Sequence, residues 1–162
     1  MQRLLFTPER QQLKEFIEIV ETAKGRHFLC VSVNKVKAVQ ISVVKNLRTK
    51  RQDTFEKTEE WLLKDLVLLD GRDSDADEPQ FVMHFEEARS MAAVSCAAKY
   101  ALARSLVSLS TKHCQKDLQL VNFDWTYIRP TSLYSSRGDC MVLLQICFYA
   151  ANLVCLSLCP IT

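Results

Sequence analysis

Residues 24–51 constrain the fold more than any other part of the sequence, because they contain two runs of alternating apolar residues. Apolar side chains occupy every second position in residues 28–34 (FLCVSVN), and the alternation recurs in residues 38–45 (AVQISVVK). A period of two is typical of half-buried β-strands. Only the three residues Lys35-Val36-Lys37 separate the two runs. The sequence therefore predicts an antiparallel hairpin, although the usual Asn-Gly or Gly turn signal is missing.

The same segment is strongly basic. It contains eight Lys or Arg residues and no Asp or Glu. Cations clustered at the tip, on the outer face and at the ends of a rigid hairpin favour the binding of an anion. The strongest candidates for this site are Lys37, Lys45 and Arg48. Further cations support them at Lys24, Arg26, Lys35, Lys50 and Arg51.

The net charge of +2 hides a marked asymmetry along the chain. Residues 1–51 carry a net +7, residues 52–88 a net −9, and residues 89–162 a net +4. A domain polarised in this way suits a charged surface or a charged partner. The seven cysteines are odd in number and lack CxxC spacing, so they fit reduced cytosolic thiols better than a disulfide framework.

An N-terminal helix is predicted ahead of the hairpin. Thr7 is a suitable N-cap, and Pro8 suits the first helical position. Apolar residues then follow at helical spacing at Leu13, Phe16, Ile17 and Val20. We assign residues 1–27 to this element and expect it to dock against the sheet.

The remaining elements are less regular. Strands are predicted near residues 55–62 and 65–70, with a helix over 57–69 as the alternative, and further strands at 81–85 and 90–94. His84 is interpreted as a half-exposed strand residue. A helix over 97–116 closes the domain. The acidic residues 73–80 copy the first three ligand positions of a calcium loop but lack its glycine and distal glutamate, so a solvated loop is favoured over a metal site.

Motifs for catalysis are missing from the sequence. It contains no P-loop, GxGxxG, GxSxG or HExxH pattern, and its three histidines are scattered. Cys30 lies in a strand pattern, where a buried and inert thiol is the default. We therefore expect a binding protein without a cofactor or metal. Nucleic acid is disfavoured because the basic stretch has no aromatic residue beyond Phe28 for base stacking, whereas anionic lipid suits cations at one end of a sheet.

Several blocks resemble the amino-terminal domain of the exocyst complex component 1 family. They are FTPERQQLKEFIEIV, HFLCVSV, VQISVVK, EEWLLKDLVLLDGRD and FVMHFE, in this order over most of residues 1–125. The resemblance implies an α+β fold of the pleckstrin-homology-like (PH-like) type. This is a β-sandwich or partly open barrel over residues 28–116, closed by a C-terminal helix and preceded by an extra N-terminal helix.

The resemblance also implies a function. Members of this family bind phosphatidylinositol 4,5-bisphosphate, contact Rho-family GTPases and help to tether secretory vesicles at the cytosolic face of the plasma membrane, together with other exocyst subunits. Lys37, Lys45 and Arg48 fall where the family is basic, and Lys24 and Arg26 fall in a thinner version of its lysine run. The alternative is a protein-interaction adaptor that holds a GTPase or an exocyst subunit. In that case the acidic residues 70–78 or a sheet edge would matter more.

The C-terminal part has a different composition. Residues 117–139 form an extension and a polar linker, and residues 140–159 contain no charged side chain. A helix of twenty residues spans about 30 Å, the thickness of the hydrocarbon layer. Two alternatives stay open for this tail helix, a C-terminal membrane anchor and an apolar helix folded onto the domain or a partner.

Overall fold

The computed structural model describes residues 1–48, 53–74 and 77–129. The first sheet is antiparallel and consists of β1 (Gln11–Ile19), β2 (Arg26–Asn34), β3 (Val39–Arg48) and β4 (Asp53–Leu62), in that order. The second sheet has the order β7-β6-β5-β8. Its strands are β5 (Leu68–Asp70), β6 (Gln80–His84), β7 (Ala88–Ala92) and β8 (Gln119–Val121). Strand β8 runs parallel to β5.

A long helix and one corner complete the domain. Helix α1 spans Cys96–Leu109, and a further helical turn, Ser110–Cys114, extends it. The Ser95 side chain caps the helix by accepting a hydrogen bond from the Ala98 amide, as a good N-cap residue does. At the corner, the Val20 amide donates to the Ala92 carbonyl at 2.8 Å, which joins the end of β1 to β7. These two sheets and the closing helix confirm the predicted PH-like architecture.

The predicted hairpin is present, but β2 is buried on both faces rather than half-buried. Leu29 and Val31 belong to the buried core on one side of the first sheet. On the other side, Phe28, Cys30 and Val44 form a second cluster with Phe6. Phe6 belongs to a short helical turn, Gln2–Phe6, which therefore covers the outer face of the first sheet.

The predicted helix over residues 7–20 is wrong, because this segment contains strand β1. A β-bulge between Leu13 and Glu15 explains the misleading pattern. The bulge inserts one extra residue, so Leu13 and Phe16 share the outer face although they are three positions apart, which is a helical spacing. Ile17 and Ile19 are buried on the other face. Since β1 pairs with β2 along its length, these residues belong to the first sheet.

Other predictions have mixed outcomes. The strand at 55–62 is confirmed as β4, so the alternative helix over 57–69 is wrong. The strand predicted near 65–70 is shorter, because a single helical turn, Leu63–Asp65, precedes β5. The strands predicted at 81–85 and 90–94 appear as β6 and β7, and His84 is half-buried in β6. The predicted closing helix is confirmed by α1 and its extension.

Residues Met1–Asp124 form one unit, and the second unit begins at Trp125. The described part of the second unit contains the short helix α2 (Trp125–Ile128). The whole polar linker 130–139 and the whole apolar segment 140–159 lie outside the described residues, so the anchor stays a prediction. Within residues 1–48, 53–74 and 77–129, no helix is long and apolar enough to cross a membrane.

Candidate functional site

The tip of the β2–β3 hairpin is a turn that Asn34 holds. The Asn34 side-chain oxygen accepts a hydrogen bond from the Ala38 amide at 2.9 Å. The backbone carbonyl of Asn34 accepts a second hydrogen bond, from the Lys37 amide at 3.0 Å. Lys37 has a φ of 65°. Asparagine at the start of a turn followed by one left-handed residue is a recognised hairpin connection. Asn34 was thus the turn signal that sequence reasoning missed.

The opposite end of the hairpin brings together cations from two segments. Strand pairing places Arg26 opposite Asn46 and His27 opposite Lys45. The loop before β2 turns at Gly25, whose φ is 109°. A Cβ atom on Gly25 would lie 2.9 Å from the Asn46 carbonyl oxygen and 3.6 Å from the Lys45 Cε atom. The loop that carries Lys24 therefore lies against the Lys45–Asn46 segment of β3, because glycine permits the close approach.

The structure divides the candidate residues between two ends of the first sheet. We call the group of Lys24, Arg26, Lys45 and Arg48 the Lys45 end, and the turn Lys35-Val36-Lys37 the Lys37 end. Strand β2 has nine residues and separates the two ends by about 26 Å at 3.3 Å per residue. The sequence had suggested a single site for these cations. The two ends are too far apart for their cations to contact one headgroup. Lys50 and Arg51 lie outside the described residues.

Carboxylates partly neutralise the Lys45 end. The Arg26 guanidinium donates to both oxygens of Glu18, at 2.7 and 2.5 Å. These hydrogen bonds hold the pKa of the Glu18 carboxyl below its usual value. Lys45 is paired in register with Glu56 on β4. An incoming phosphate must therefore compete with Glu18 for the Arg26 guanidinium.

Cations that sequence reasoning missed lie near the Lys37 end. Lys64 and His113 line one groove with Lys37, and Arg10, Lys14 and Lys112 line a neighbouring groove with Lys35. These residues come from the turn before β1, from β1 itself, from the turn after β4 and from the extension of α1. Only tertiary contacts bring them together, so no local pattern in the sequence could have revealed them.

Other groups with potential reactivity include the Cys30 thiol and the side chains that could bind a metal ion. Burial raises the pKa of the Cys30 thiol to about 12, which leaves it protonated and unreactive near neutral pH. Within residues 1–48, 53–74 and 77–129, no three His, Cys, Asp or Glu side chains are grouped so that they could hold a metal ion.

Residues 22–112 match the family model described as the exocyst complex component SEC3 N-terminal PIP2-binding PH domain. The chain belongs to this family. The match begins just before Lys24 and ends at Lys112, so it contains the whole β2–β3 hairpin and both of its basic ends. The assignment to the SEC3-type PH domain family agrees with the two sheets and the closing helix described above.

Two relatives support the assignment. The chain is 48% identical to exocyst complex component 1-like from Mus musculus over 162 residues, which covers 99% of this chain and 94% of the relative. It is 30% identical to exocyst complex component 1 from Mus musculus over 124 residues, which covers 75% of this chain and 14% of that protein. The SEC3-type chain thus corresponds to a small part of the larger relative.

Proposed function

We propose that this domain binds phosphoinositide headgroups at the cytosolic face of the plasma membrane, and that the Lys45 end makes the contact. The observation that carries the proposal is that strand register and the turn at Gly25 place Lys24, Arg26 and Lys45 at the same end of the β2–β3 hairpin. We further propose that the domain acts by binding within exocyst-related vesicle tethering and has no catalytic activity. Family membership supports the link to the exocyst.

The chemistry of the ligand suits this end of the sheet. A phosphomonoester carries about −1.5 to −2 charges at neutral pH, and it offers several acceptor oxygens. The ammonium group of a lysine and the forked guanidinium of an arginine match these acceptors. Each cation near an anionic leaflet contributes about 1 kcal/mol. A few converging cations therefore give a moderate affinity that depends on the salt concentration.

Replacing Lys24 and Lys45 by Gln should weaken binding to phosphatidylinositol 4,5-bisphosphate vesicles about 30-fold. The expectation follows from the loss of two cations at about 1 kcal/mol each. Sedimentation of the full chain with vesicles at near-physiological salt measures the affinity. Vesicles of phosphatidylcholine alone provide the baseline.

Two further variants sharpen this experiment. Glu18→Gln removes the carboxylate that competes for Arg26, so it should tighten binding about fivefold. The double variant Arg72→Asn, Arg104→Gln removes two cations elsewhere and should bind as the parent does. Equal losses in this control and in the Lys24, Lys45 variant would mean that binding follows net charge, and the assigned site would be rejected.

A protein partner is the second candidate function, and an aromatic groove favours it. Trp61 and Phe85 stack with ring centroids 5.1 Å apart in a groove of about 350 Å³. Asp65 and Glu86 line the same groove, which suits basic residues on a partner. Glu60 also lines it, but its carboxylate is paired with the Lys57 ammonium at 2.8 Å. We propose a Rho-family GTPase as this partner.

Trp61→Ala should abolish capture of a nucleotide-loaded Rho-family GTPase while leaving vesicle binding unchanged. Removing the indole takes away most of the apolar contact area in the groove. A pull-down with GDP- and GTP-loaded forms measures capture, and Trp125→Ala is the matched control. If the parent captures neither form, the adaptor proposal is wrong.

A further inference from the structure

We propose that the Lys37 end is a second surface for anionic membranes, so that one molecule holds two membranes at opposite ends of its first sheet. This inference rests on the proposed function for the Lys45 end and adds a second contact to it. It is carried by two cationic grooves, an unpaired histidine nitrogen and an exposed apolar residue at the hairpin tip.

Two neighbouring grooves at the Lys37 end are lined by cationic side chains. The first has a volume of about 340 Å³, and its cationic lining residues are Arg10, Lys14, Lys35 and Lys112. The second has a volume of about 380 Å³ and is lined by Lys37 and Lys64. Among the residues that the structure describes, no Asp or Glu lines either groove. Unlike the Lys45 end, this end presents its cations without carboxylates in the same groove.

The fold explains why so many cations meet here. Gln11 at the start of β1 is paired with Asn34 at the end of β2, so the basic residues that precede and follow Gln11 lie beside the hairpin tip. The helical turn Leu63–Asp65 after β4 and the extension of α1 reach the same end. The cluster is therefore a consequence of sheet topology and is held by four separate segments.

His113 lies where the two grooves meet, since it lines both of them. Its Nδ1 atom is buried and has no hydrogen-bond partner within the described part of the chain. A buried ring nitrogen without a partner is unfavourable, because its hydrogen-bonding capacity is lost. The imidazole ring thus adds a polar side chain to the lining at the point that the two grooves share.

Val36 distinguishes a membrane from a soluble phosphate ligand. Its side chain is 81% exposed at the hairpin tip, and Lys35 and Lys37 flank it. An apolar residue between two lysines fits the boundary between headgroups and acyl chains, where the apolar side chain is buried and the ammonium groups stay among the headgroups. A soluble phosphopeptide would leave Val36 in water and gain nothing from it.

The distance between the two ends determines whether one membrane can contact both of them. They lie about 26 Å apart along β2, at opposite ends of its strand axis. A flat membrane that contacts one end cannot reach the other. Occupation of both ends therefore joins two membranes, and the joined membranes would show as clustered vesicles.

Vesicle clustering by the full chain tests this inference. The vesicles contain phosphatidylcholine, phosphatidylserine and phosphatidylinositol 4,5-bisphosphate, and turbidity reports clustering while sedimentation reports binding. In the tip variant, Lys35 becomes Gln and Lys37 becomes Asn, which tolerates the left-handed backbone at this position. We expect this variant to cluster vesicles about tenfold more slowly than the parent, while its binding to single vesicles changes by less than about twofold.

The controls separate this inference from the proposed function. Arg72→Asn, Arg104→Gln also removes two cations, one of them at a left-handed position, and should cluster vesicles as the parent does. The Lys24→Gln, Lys45→Gln variant should bind vesicles about 30-fold more weakly and should also lose clustering. If it sediments like the parent, the proposed site at the Lys45 end fails. If the tip variant clusters vesicles as fast as the parent does, the second membrane surface is rejected. Light scattering without vesicles measures the oligomeric state of the parent and of the tip variant. If the parent is a dimer and the tip variant is a monomer, the tip is a protein interface and the inference is overturned.

Discussion

Phe6→Ala should lower the free energy of unfolding by about 3–5 kcal/mol, the usual cost of deleting a fully buried phenylalanine. Phe6 has no exposed surface, although it lies near the start of the chain. It packs with Phe28, Cys30 and Val44 on the outer face of the first sheet. The Lys57 ammonium lies 5.1 Å from the ring centroid and covers its other side. Removing the ring therefore leaves a cavity between the N-terminal turn and the outer face of the first sheet.

The reactivity of Cys30 provides a second measurement for the same variant. In the parent, burial raises the pKa of this thiol to about 12, and its Sγ atom lies 3.4 Å from the Met1 sulfur. Opening the cluster hydrates the thiol, which should lower its pKa and expose it to reagents. Mass spectrometry of the Cys30 peptide after brief alkylation should show faster modification in Phe6→Ala than in the parent.

Phe16→Ala is the matched control for this prediction. Phe16 is 50% exposed on the same sheet face, so its loss should cost far less than the loss of Phe6. Thermal unfolding of the three proteins measures the difference. An unchanged melting temperature in Phe6→Ala, together with a Cys30 that stays protected, would show that the N-terminal turn does not contribute to the fold.

Lys99→Ala should lower the free energy of unfolding by about 2–4 kcal/mol. The Lys99 side chain is 1% exposed within helix α1, an unusual position for a lysine. Its ammonium donates to the carbonyl oxygens of Gly71, at 3.3 Å, and of Glu78. The rings of Tyr100 and Phe123 lie 5.5 and 5.6 Å from the same nitrogen. Alanine would leave the two carbonyl oxygens without this donor and would open a void between the helix and the loop.

Two variants separate the parts of this effect. Lys99→Met keeps most of the side-chain volume but removes the donor, so its stability should fall between those of the parent and Lys99→Ala. Lys116 also donates to a backbone carbonyl, that of Leu66, but it is exposed, and Lys116→Ala should cost less. Denaturant unfolding monitored by tryptophan fluorescence measures all four proteins. A Lys99→Ala protein as stable as the parent would refute the role assigned to this lysine.

The sequence by itself determined the hairpin and the closing helix. Both depend on local periodicity, which is visible without knowledge of tertiary contacts: alternation in β2 and β3, and an apolar stripe in α1. The sequence also identified which residues are cationic at the hairpin. The sequence blocks that resemble the exocyst complex component 1 family also predicted the PH-like fold and membership of a phosphoinositide-binding family.

The tertiary structure decided what the N-terminal segment and the buried lysine do. Residues 7–20 looked helical because a β-bulge copies a helical spacing, and only pairing with β2 reveals the strand. Lys99 reads as a surface residue of an amphipathic helix, yet its ammonium satisfies carbonyl oxygens about 20 to 30 positions earlier in the chain. Such long-range partners leave no mark in local sequence patterns.

The arrangement of the site also belongs to the tertiary structure. Eight cations in one stretch suggested a single cluster, but the length of β2 places the six that the structure describes at two ends. Lys64 and His113 join the Lys37 end from segments that follow it by about 27 and 76 positions in the sequence. A sequence specifies which charges exist, whereas strand register and loop closure specify which of them share a surface, because only the folded chain sets distances between residues that are far apart along it.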